Sequence, residues 1–171
     1  GLLLFTDRVE LFIPPNKGRQ HSLRLIRELL NLEPQGRGTN LAGALQYARN
    51  VLRKRSVCFV LSDFLTADYE APLRILSRRH DCIGLHLWDA RERELPDVGL
   101  LRVASAESGV TNWVDTSDRE FRQAYRRRFE RRSQLMRELF GRAGADFLSL
   151  STEQSYVQAL LRFFEQRAHR R

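Results

Sequence analysis

The chain alternates between continuous apolar runs and segments whose apolar residues have helical spacing. The runs are SVCFVLSDF at residues 56–64 and DCIGLHLWD at 81–89, and DFLSLS at 146–151 predicts a last strand. The first two, apolar throughout and bounded by polar residues, are typical of strands covered on both faces, and DYEAPLRILSRRH between them has the pattern of a helix. Strands that alternate with helices form a mainly parallel sheet with helices on both sides. The sequence therefore predicts an α/β fold.

The remaining segments complete this pattern within a single domain spanning residues 1–171. GLLLFTD and RVELFIPP predict a hairpin of strands, and LLRVAS with VTNWVD predict a second hairpin at the edge of the sheet. HSLRLIRELLNL and TNLAGALQYARNVLRKR predict two helices, and capping boxes at 117–120 and 151–154 predict the starts of two more. No linker or internal repeat indicates a second domain, and 171 residues are enough to form one core.

The formal net charge of +8 is carried largely by arginine. The helix predicted to begin at Ser117 has an apolar stripe that includes Phe121, Phe129 and Phe140, with a basic face on the other side. This basic face consists of Arg122, Arg126, Arg127 and Arg131. It is either a solvated helix surface or a binding surface for nucleic acid or an anionic membrane. No apolar run approaches the roughly 18 residues of a membrane span, and no signal peptide is visible, which favours a cytoplasmic chain. A membrane anchor in an upstream segment of the full-length protein is the alternative.

Polar residues follow several predicted strands, at the edge where open parallel sheets bind ligands. These candidate site residues are Thr6, Asp7, Thr39, Ser62, Asp63 and Asp89. A carboxylate such as Asp63, at the end of a buried strand, is either a turn cap satisfied by nearby amides or a ligand of a cation. Thr39, within GRGTNLAGAL, is either a helix cap after two turn-forming glycines or a ligand for a group outside the helix.

Other catalytic patterns are missing from the sequence. The glycine loop has neither the lysine nor the spacing of a P-loop, and no serine lies in a G-x-S-x-G motif. The four histidines have no metal-ligand spacing, and Cys58 and Cys82 lie in strand-like runs where buried thiols are expected. We therefore do not expect an enzyme.

Several long motifs occur together in one order: GLLLFTDRVELFIPPNKGRQHSLRLIRELL, GRGTNLAGAL, LSDFL, RRHDCIGLHLWDARERELPDVGLL and VDTSDREFR. With these motifs the chain resembles the bacterial domain-of-unknown-function 58 family, whose fold is similar to a von Willebrand factor A domain. The resemblance implies a Rossmann-like, three-layer α/β/α domain with a metal-ion-dependent adhesion site. Members of the family are associated with MoxR-type AAA+ ATPases and are thought to act as adaptors or assembly factors.

The adhesion site of that fold uses an Asp-x-Ser-x-Ser loop, a threonine ahead of a helix and an aspartate after a buried strand. Thr39 and Asp63 match the last two elements, whereas the sequence has no Asp-x-Ser-x-Ser motif. The resemblance implies that this motif and the first central strand precede Gly1, so that the chain is the C-terminal part of a longer protein. We therefore expect Mg²⁺ or another divalent cation in the full-length protein, and weak or no metal binding by this chain alone.

Three hypotheses for function follow. The first is a protein–protein interaction module that binds an acidic partner, a MoxR-type AAA+ ATPase, through the adhesion-like site. The second is nucleic-acid or anionic-surface binding through the basic face, and nucleic acid ranks well behind a protein partner. The third is a metal-dependent hydrolase, which requires a general base near Asp63, for which Asp7 and Asp89 are the candidates.

Overall fold

The computed structural model describes residues 1–104 and 109–169. In these ranges it contains seven strands and six helices. The strands are β1 (Leu2–Phe5), β2 (Val9–Ile13), β3 (Val57–Ser62), β4 (Asp81–Trp88), β5 (Leu100–Ala104), β6 (Thr111–Asp115) and β7 (Asp146–Ser151). The helices are α1 (Arg19–Asn31), α2 (Leu41–Val51), α3 (Glu70–Ser77), α4 (Ala90–Arg93), α5 (Arg119–Arg142) and α6 (Tyr156–His169). No helix in the described ranges is long and apolar enough to cross a membrane.

A three-stranded parallel sheet in the order β3-β4-β7 forms the centre of the molecule. Val57 pairs with Asp81 at one end of the β3–β4 ladder, and Ser62 pairs with His86 at the other. Strand β4 continues two residues further, so that Trp88 pairs with Ser151 of β7. The predicted α/β class with a mainly parallel sheet is thereby confirmed.

Two hairpins lie outside this sheet. The predicted β1–β2 hairpin is antiparallel with an irregularity between Leu4 and Phe5, and β5–β6 is a second antiparallel pair. The second hairpin was expected at the edge of the central sheet, but it forms a separate two-stranded sheet. It is held by the fully buried Thr116, whose hydroxyl donates to the carbonyl of Gly99 at 2.7 Å. Residue 105 of the predicted strand LLRVAS lies outside the described residues.

Helices pack on both faces of the sheet. On one face, a core cluster joins α2, α3 and α5 through Leu41, Leu73 and Phe140. Phe140 is fully buried and lies directly over Gly84 of β4, where a Cβ atom would approach its ring to 2.4 Å. On the other face, Ile83 and the neighbouring apolar residues of the sheet pack against α6. A glycine at position 84 therefore allows α5 to lie close to the centre of the sheet.

Strand β3 is not covered on both faces, contrary to the prediction. Cys58 and Val60 pack into the core, whereas Val57, Phe59 and Leu61 on the other face are 56%, 46% and 54% exposed. Helix α6 reaches this face only at its margin, where Phe164 contacts Phe59 with ring centroids 6.2 Å apart. An apolar run alone does not specify how many faces of a strand are covered. The prediction that both thiols are buried is confirmed for Cys82, whereas Cys58 is half-buried.

Three helix starts differ from the prediction. Helix α2 is capped by Asn40, whose side-chain oxygen accepts from the amide of Gly43 at 2.8 Å, and not by Thr39. Helix α5 is capped by Asp118 and not by Ser117, because Ser117 donates both its amide and its hydroxyl to Asp115. Helix α6 begins at Tyr156, beyond the capping box predicted for 151–154. At α2 and α5 the residue next to the predicted cap takes its place, and at α6 a turn precedes the first helical residue. Several residue types cap helices equally well, so the sequence does not specify which of two neighbours does so.

Candidate functional site

Three loops converge near the carboxyl end of β3. They are the hairpin turn after β1, the glycine loop before α2 and the loop after β3. The amide of Asn40 donates to the carbonyl of Thr6 at 2.7 Å, which joins the first two loops. The hydroxyl of Thr66 donates to the carbonyl of Thr39 at 3.2 Å, which joins the second and third. The structure thus gathers the loops that contain Thr6, Asp7, Thr39, Ser62 and Asp63.

Glu10 fixes the glycine loop against the hairpin, a role that the sequence analysis missed. Its Oε1 accepts from the hydroxyl of Thr6 at 2.7 Å and from the amide of Gly36 at 2.9 Å, and Arg8 lies 3.6 Å away. The hydrogen bond from Thr6, followed by that from Gly36, lowers the pKa of Glu10. The sequence feature that could have indicated this role is Glu10 itself, the single acidic residue in the otherwise apolar strand VELFI. Its ionised carboxylate is thus a structural anchor of the site.

Gly36 is required by close approach and does more than supply a turn. A Cβ atom at this position would lie 2.0 Å from Oδ1 of Asp7 and 2.2 Å from the hydroxyl of Thr6. Any side chain would therefore push the loop away from the hairpin. At Gly38 the nearest such atom, the Cβ of Asp7, lies at an ordinary 3.6 Å. Of the two glycines ahead of Thr39, Gly36 is thus the one that the site geometry demands.

The loop after β3 is a tight turn organised by two adjacent polar side chains. The hydroxyl of Ser62 accepts from the amide of Phe64 at 3.0 Å, and Oδ1 of Asp63 accepts from the amide of Leu65 at 3.0 Å. Phe64 has a positive φ of 53°, which is uncommon for a residue with a side chain. Its ring is buried against Phe140, with centroids 5.1 Å apart, and this packing offsets the backbone cost. Asp63 therefore has the turn-capping role that the sequence allowed.

Asp89 lies apart from these loops. Strand β4 continues beyond the residue paired with Ser62, so Asp89 follows three residues later, roughly 10 Å further along the strand direction. Its Oδ1 accepts from the amide of Arg91 and its Oδ2 from the hydroxyl of Thr152, at 2.9 Å and 3.3 Å. With Glu92 it forms a capping box for α4, a short helix that was not predicted. Asp89 is thus a helix cap that lies apart from the loops around Asp63, and its place at the periphery of the site stays a prediction.

The gathered side chains do not form a closed metal site. Across residues 1–104 and 109–169, no three histidine, cysteine, aspartate or glutamate side chains lie together as metal ligands. Thr39 and Asp63 offer a hydroxyl and a carboxylate, whereas Mg²⁺ requires a near-octahedral set of oxygens. The described residues therefore add no cluster of acidic, histidine or cysteine side chains to Thr39 and Asp63, which stay the predicted ligands.

The basic face of α5 is partly neutralised within the molecule. Arg122 pairs with Asp97 at 3.0 Å and also donates to the carbonyl of Thr116. Arg126 pairs with Glu130 at 2.9 Å and with Glu94 at 3.5 Å. Arg127 and Arg131 are exposed and form no ion pair with another described residue. Two of the four arginines predicted for this face are thus paired with acidic residues of the same molecule.

Comparison with known proteins identifies relatives over most of the chain. The family model described as "Protein of unknown function DUF58" matches residues 1–135. Uncharacterized protein Rv1480 of Mycobacterium tuberculosis is 32% identical over 170 residues, which are 98% of this chain and 53% of that protein. Uncharacterized protein MAV169 of Mycobacterium avium is 28% identical over 158 residues, 91% of this chain and 93% of that protein. No solved structure matches. The chain spans about half the length of the first of these relatives, and it belongs to the DUF58 family.

Proposed function

We propose that the chain is a protein–protein interaction module whose contact site lies at the carboxyl end of β3. The observation that carries this proposal is the convergence of three loops around Thr39 and Asp63. Hydrogen bonds of 2.7 Å and 3.2 Å link the loops, and Glu10 fixes the glycine loop to the hairpin turn. A site held by several loops on a sheet presents a fixed surface to a partner. The chemistry of the site, hydroxyls beside a carboxylate, suits a cation-assisted contact better than catalysis.

A von Willebrand factor A-like arrangement accounts for the open side of β3. In the described residues the edge of β3 away from β4 pairs with no strand, and Val57, Phe59 and Leu61 are exposed beside it. We assign this edge to a further strand that ends in the Asp-x-Ser-x-Ser loop, with the cation ligands that the chain lacks. The greater length of the M. tuberculosis relative is compatible with such a segment.

The exposed apolar face of α1 supports the same assignment. This face consists of Leu23, Ile26, Leu29 and Leu30, each more than half exposed. Apolar stripes on helices are normally packed against another element. An additional strand and its helix, or a protein partner, would cover this face. The proposal therefore treats α1 as part of the assembly surface.

The partner that the resemblance implies is a MoxR-type AAA+ ATPase, for which the chain would act as an adaptor or assembly factor. A net charge of +8 steers the domain towards an acidic surface. In the adhesion-type contact, an acidic side chain of the partner completes the coordination of the cation held near Thr39 and Asp63. Removing the cation should abolish such a contact. A purely electrostatic attraction should weaken as salt is raised and should not respond to removal of the cation.

The test is a binding assay between the full-length protein and a MoxR-type AAA+ ATPase of the same organism, with Mg²⁺ and then with EDTA. Thr39→Val removes one hydroxyl, and Asp63→Asn removes the charge while keeping an oxygen for the amide of Leu65. Each change should weaken binding by about tenfold or more, and EDTA should abolish it. Asp89→Asn is the matched control, because it makes the same charge change at a helix cap outside the site.

The outcomes separate the hypotheses. Unchanged binding in Thr39→Val, in Asp63→Asn and in EDTA would contradict the proposed site. Binding to nucleic acid that falls steeply with salt and ignores EDTA would favour the basic face of α5. Phosphatase or nuclease turnover that Asp63→Asn abolishes would favour the hydrolase. The interaction module leads because two arginines of the basic face are already paired and Asp89 is committed to a cap.

A further inference from the structure

The amino ends of β3 and β4, opposite the candidate site, carry a dense group of exposed cations. These residues lie in the last turn of α2 or α3 or directly after it, and the two helices precede β3 and β4 in the chain. We call them the amino-edge patch, which consists of Arg49, Arg53, Lys54, Arg55, Arg74, Arg78 and Arg79. The sequence analysis did not single them out, because they are divided between two segments of the chain that are separated by strand β3 and the first half of α3.

The fold brings the two segments together. The amide of Asp81 donates to the carbonyl of Ser56 at 2.9 Å, and Val57 pairs with Asp81 as the ladder begins. Adjacent strands lie roughly 4.8 Å apart, so the loops before β3 and β4 adjoin. Helices α2 and α3 pack against each other through Leu45 and Leu76 of the core. The seven side chains therefore extend from one compact surface.

The amino-edge patch contains no acidic residue of its own. Residues 49–57 and 71–80 contain no aspartate or glutamate, and the patch residues form no ion pair with any other described residue. The acidic residues nearest the patch are Asp81 and Asp146, at the amino ends of β4 and β7, and both pair with Arg167, at 2.6 Å and 2.9 Å. Beside the patch, burial and then the charge of Arg79 lower the pKa of His80. The seven positive charges of the amino-edge patch nearly equal the formal net charge of the whole chain, which is +8.

The backbone at this edge does not form a cradle for a single anion. The carbonyl ends of α2 and α3 point here, with Arg49 and Arg74 in their last turns. Backbone amides that bind phosphate are at the opposite, N-terminal ends of helices. Binding here therefore depends on several side-chain cations acting together, and arginine is suited to phosphate because its planar group donates in pairs.

An exposed apolar side chain among the cations indicates the kind of anionic surface. Ile75, which lies between Arg74 and Arg78 in the chain, is 38% exposed within the patch. A lipid headgroup layer accommodates apolar side chains next to arginine, and patch residues near such a layer act additively. The patch contains no aromatic residue for stacking on bases. We propose that the amino-edge patch binds the anionic headgroup surface of a membrane.

This surface is independent of Thr39 and Asp63. Because the two lie at opposite ends of the sheet, a protein partner at the candidate site leaves the patch accessible. The inference therefore stands or falls separately from the proposed function.

The test measures sedimentation of the chain with phosphatidylcholine vesicles that contain or lack phosphatidylglycerol. We expect binding only with phosphatidylglycerol, decreasing as salt is raised. Arg78→Gln with Arg79→Gln should weaken the partition by about thirtyfold, from the usual contribution of each cation near a charged bilayer. Arg127→Gln with Arg131→Gln removes the same charge from exposed positions on the basic face of α5. It distinguishes the amino-edge patch from that alternative anionic-binding surface, and it should have little effect.

Three results would overturn the proposal: no binding to phosphatidylglycerol vesicles, an equal loss in both double variants, or tighter binding to duplex DNA than to the vesicles. Thermal melts of both variants check their folding. If Arg78→Gln with Arg79→Gln does not fold, Arg53→Gln with Arg55→Gln removes two charges from the other loop of the patch. The same thirtyfold loss is expected there, and an undiminished partition would contradict the proposal.

Discussion

Strands β3 and β4 are neighbours of similar apolar composition, yet one is half open and the other is enclosed. Residues Cys82–His86 of β4 are all buried, whereas alternate residues of β3 are exposed. Strand β4 has a partner on each side and helices over both faces. Strand β3 has one partner, and its second face is covered only at the margin by Phe164. Enclosure thus comes from neighbouring elements and not from the strand's own residues, and the candidate site lies on the open strand.

The largest contrast is expected between two phenylalanines of these regions. Phe140 packs over β4 against Phe64 and Phe147, with both pairs of ring centroids 5.1 Å apart, and is fully buried. Phe140→Ala should lower the free energy of unfolding by about 3–5 kcal/mol, through lost burial and the cavity left behind. Phe59→Ala on the open face of β3 should cost about 1 kcal/mol or less. Urea denaturation measures both changes in the free energy of unfolding. Equal losses in Phe140→Ala and Phe59→Ala would contradict the predicted difference between the two regions.

Adding a methyl group over β4 should be almost as damaging. In Gly84→Ala the new Cβ would lie 2.4 Å and 2.5 Å from two ring carbons of Phe140, which cannot move away because the ring is enclosed. We expect a loss of about 3 kcal/mol, the upper part of the usual range for overpacking. Gly141→Ala is the control, because no atom lies within 4 Å of a Cβ there, and alanine favours the helix. A stable Gly84→Ala variant would mean that α5 lies further from β4.

Acid should weaken the enclosed region through His86. This side chain is fully buried between Phe129 and Phe147, and its Nδ1 lies 3.1 Å from the hydroxyl of Ser149. Burial, assisted by the charge of Arg132, lowers the pKa of His86 to about 4. The unfolded chain takes up this proton near pH 6.5, so the stability present above that pH is lost progressively as the pH falls towards 4.

Between about pH 7.5 and about pH 5 the expected loss is about 2 kcal/mol, measured by urea denaturation at each pH. His80, whose pKa is also lowered, adds to it in the same direction. His86→Phe places another aromatic ring among its neighbours and should reduce the slope. A variant with the same pH dependence as the original chain would show that His86 is not its source.

The smallest effect is expected on the open side. Leu30 of α1 is 77% exposed, so Leu30→Gln removes almost no buried area from this chain. Its free energy of unfolding should change by less than about 0.5 kcal/mol. If α1 is an assembly surface, the same variant should weaken partner binding. A large loss of stability in the chain alone would show that α1 packs more closely than the structure indicates.

The sequence predicted the order of strands and helices because apolar periodicity and the alternation rule act locally. It did not predict that Val57, Phe59 and Leu61 are exposed, since that depends on which elements lie beside β3. Cap choices failed where two adjacent residues are both good caps, as with Thr39 and Asn40.

The candidate site was predictable in part. Its loops were located from the rule that ligands bind beyond the carboxyl ends of parallel strands. Glu10 was missed because its partners, Thr6 and Gly36, come together only in the folded chain. Asp89 was included because strand lengths were unknown, and the two extra residues of β4 separate it from Asp63. The amino-edge patch was missed for a similar reason, since it exists only where two distant loops adjoin.

Amide hydrogen exchange tests most directly the claim that the site lies on an open strand beside an enclosed core. Half of the backbone amides of β3 point away from β4, towards an edge without a described partner. The account predicts slow exchange throughout β4, and faster exchange in α1 and in the outward-facing amides of β3. It also predicts that the further strand assigned to this edge slows those β3 amides in a longer chain that contains it. Exchange in β3 that is as slow as in β4 in the free chain would contradict it.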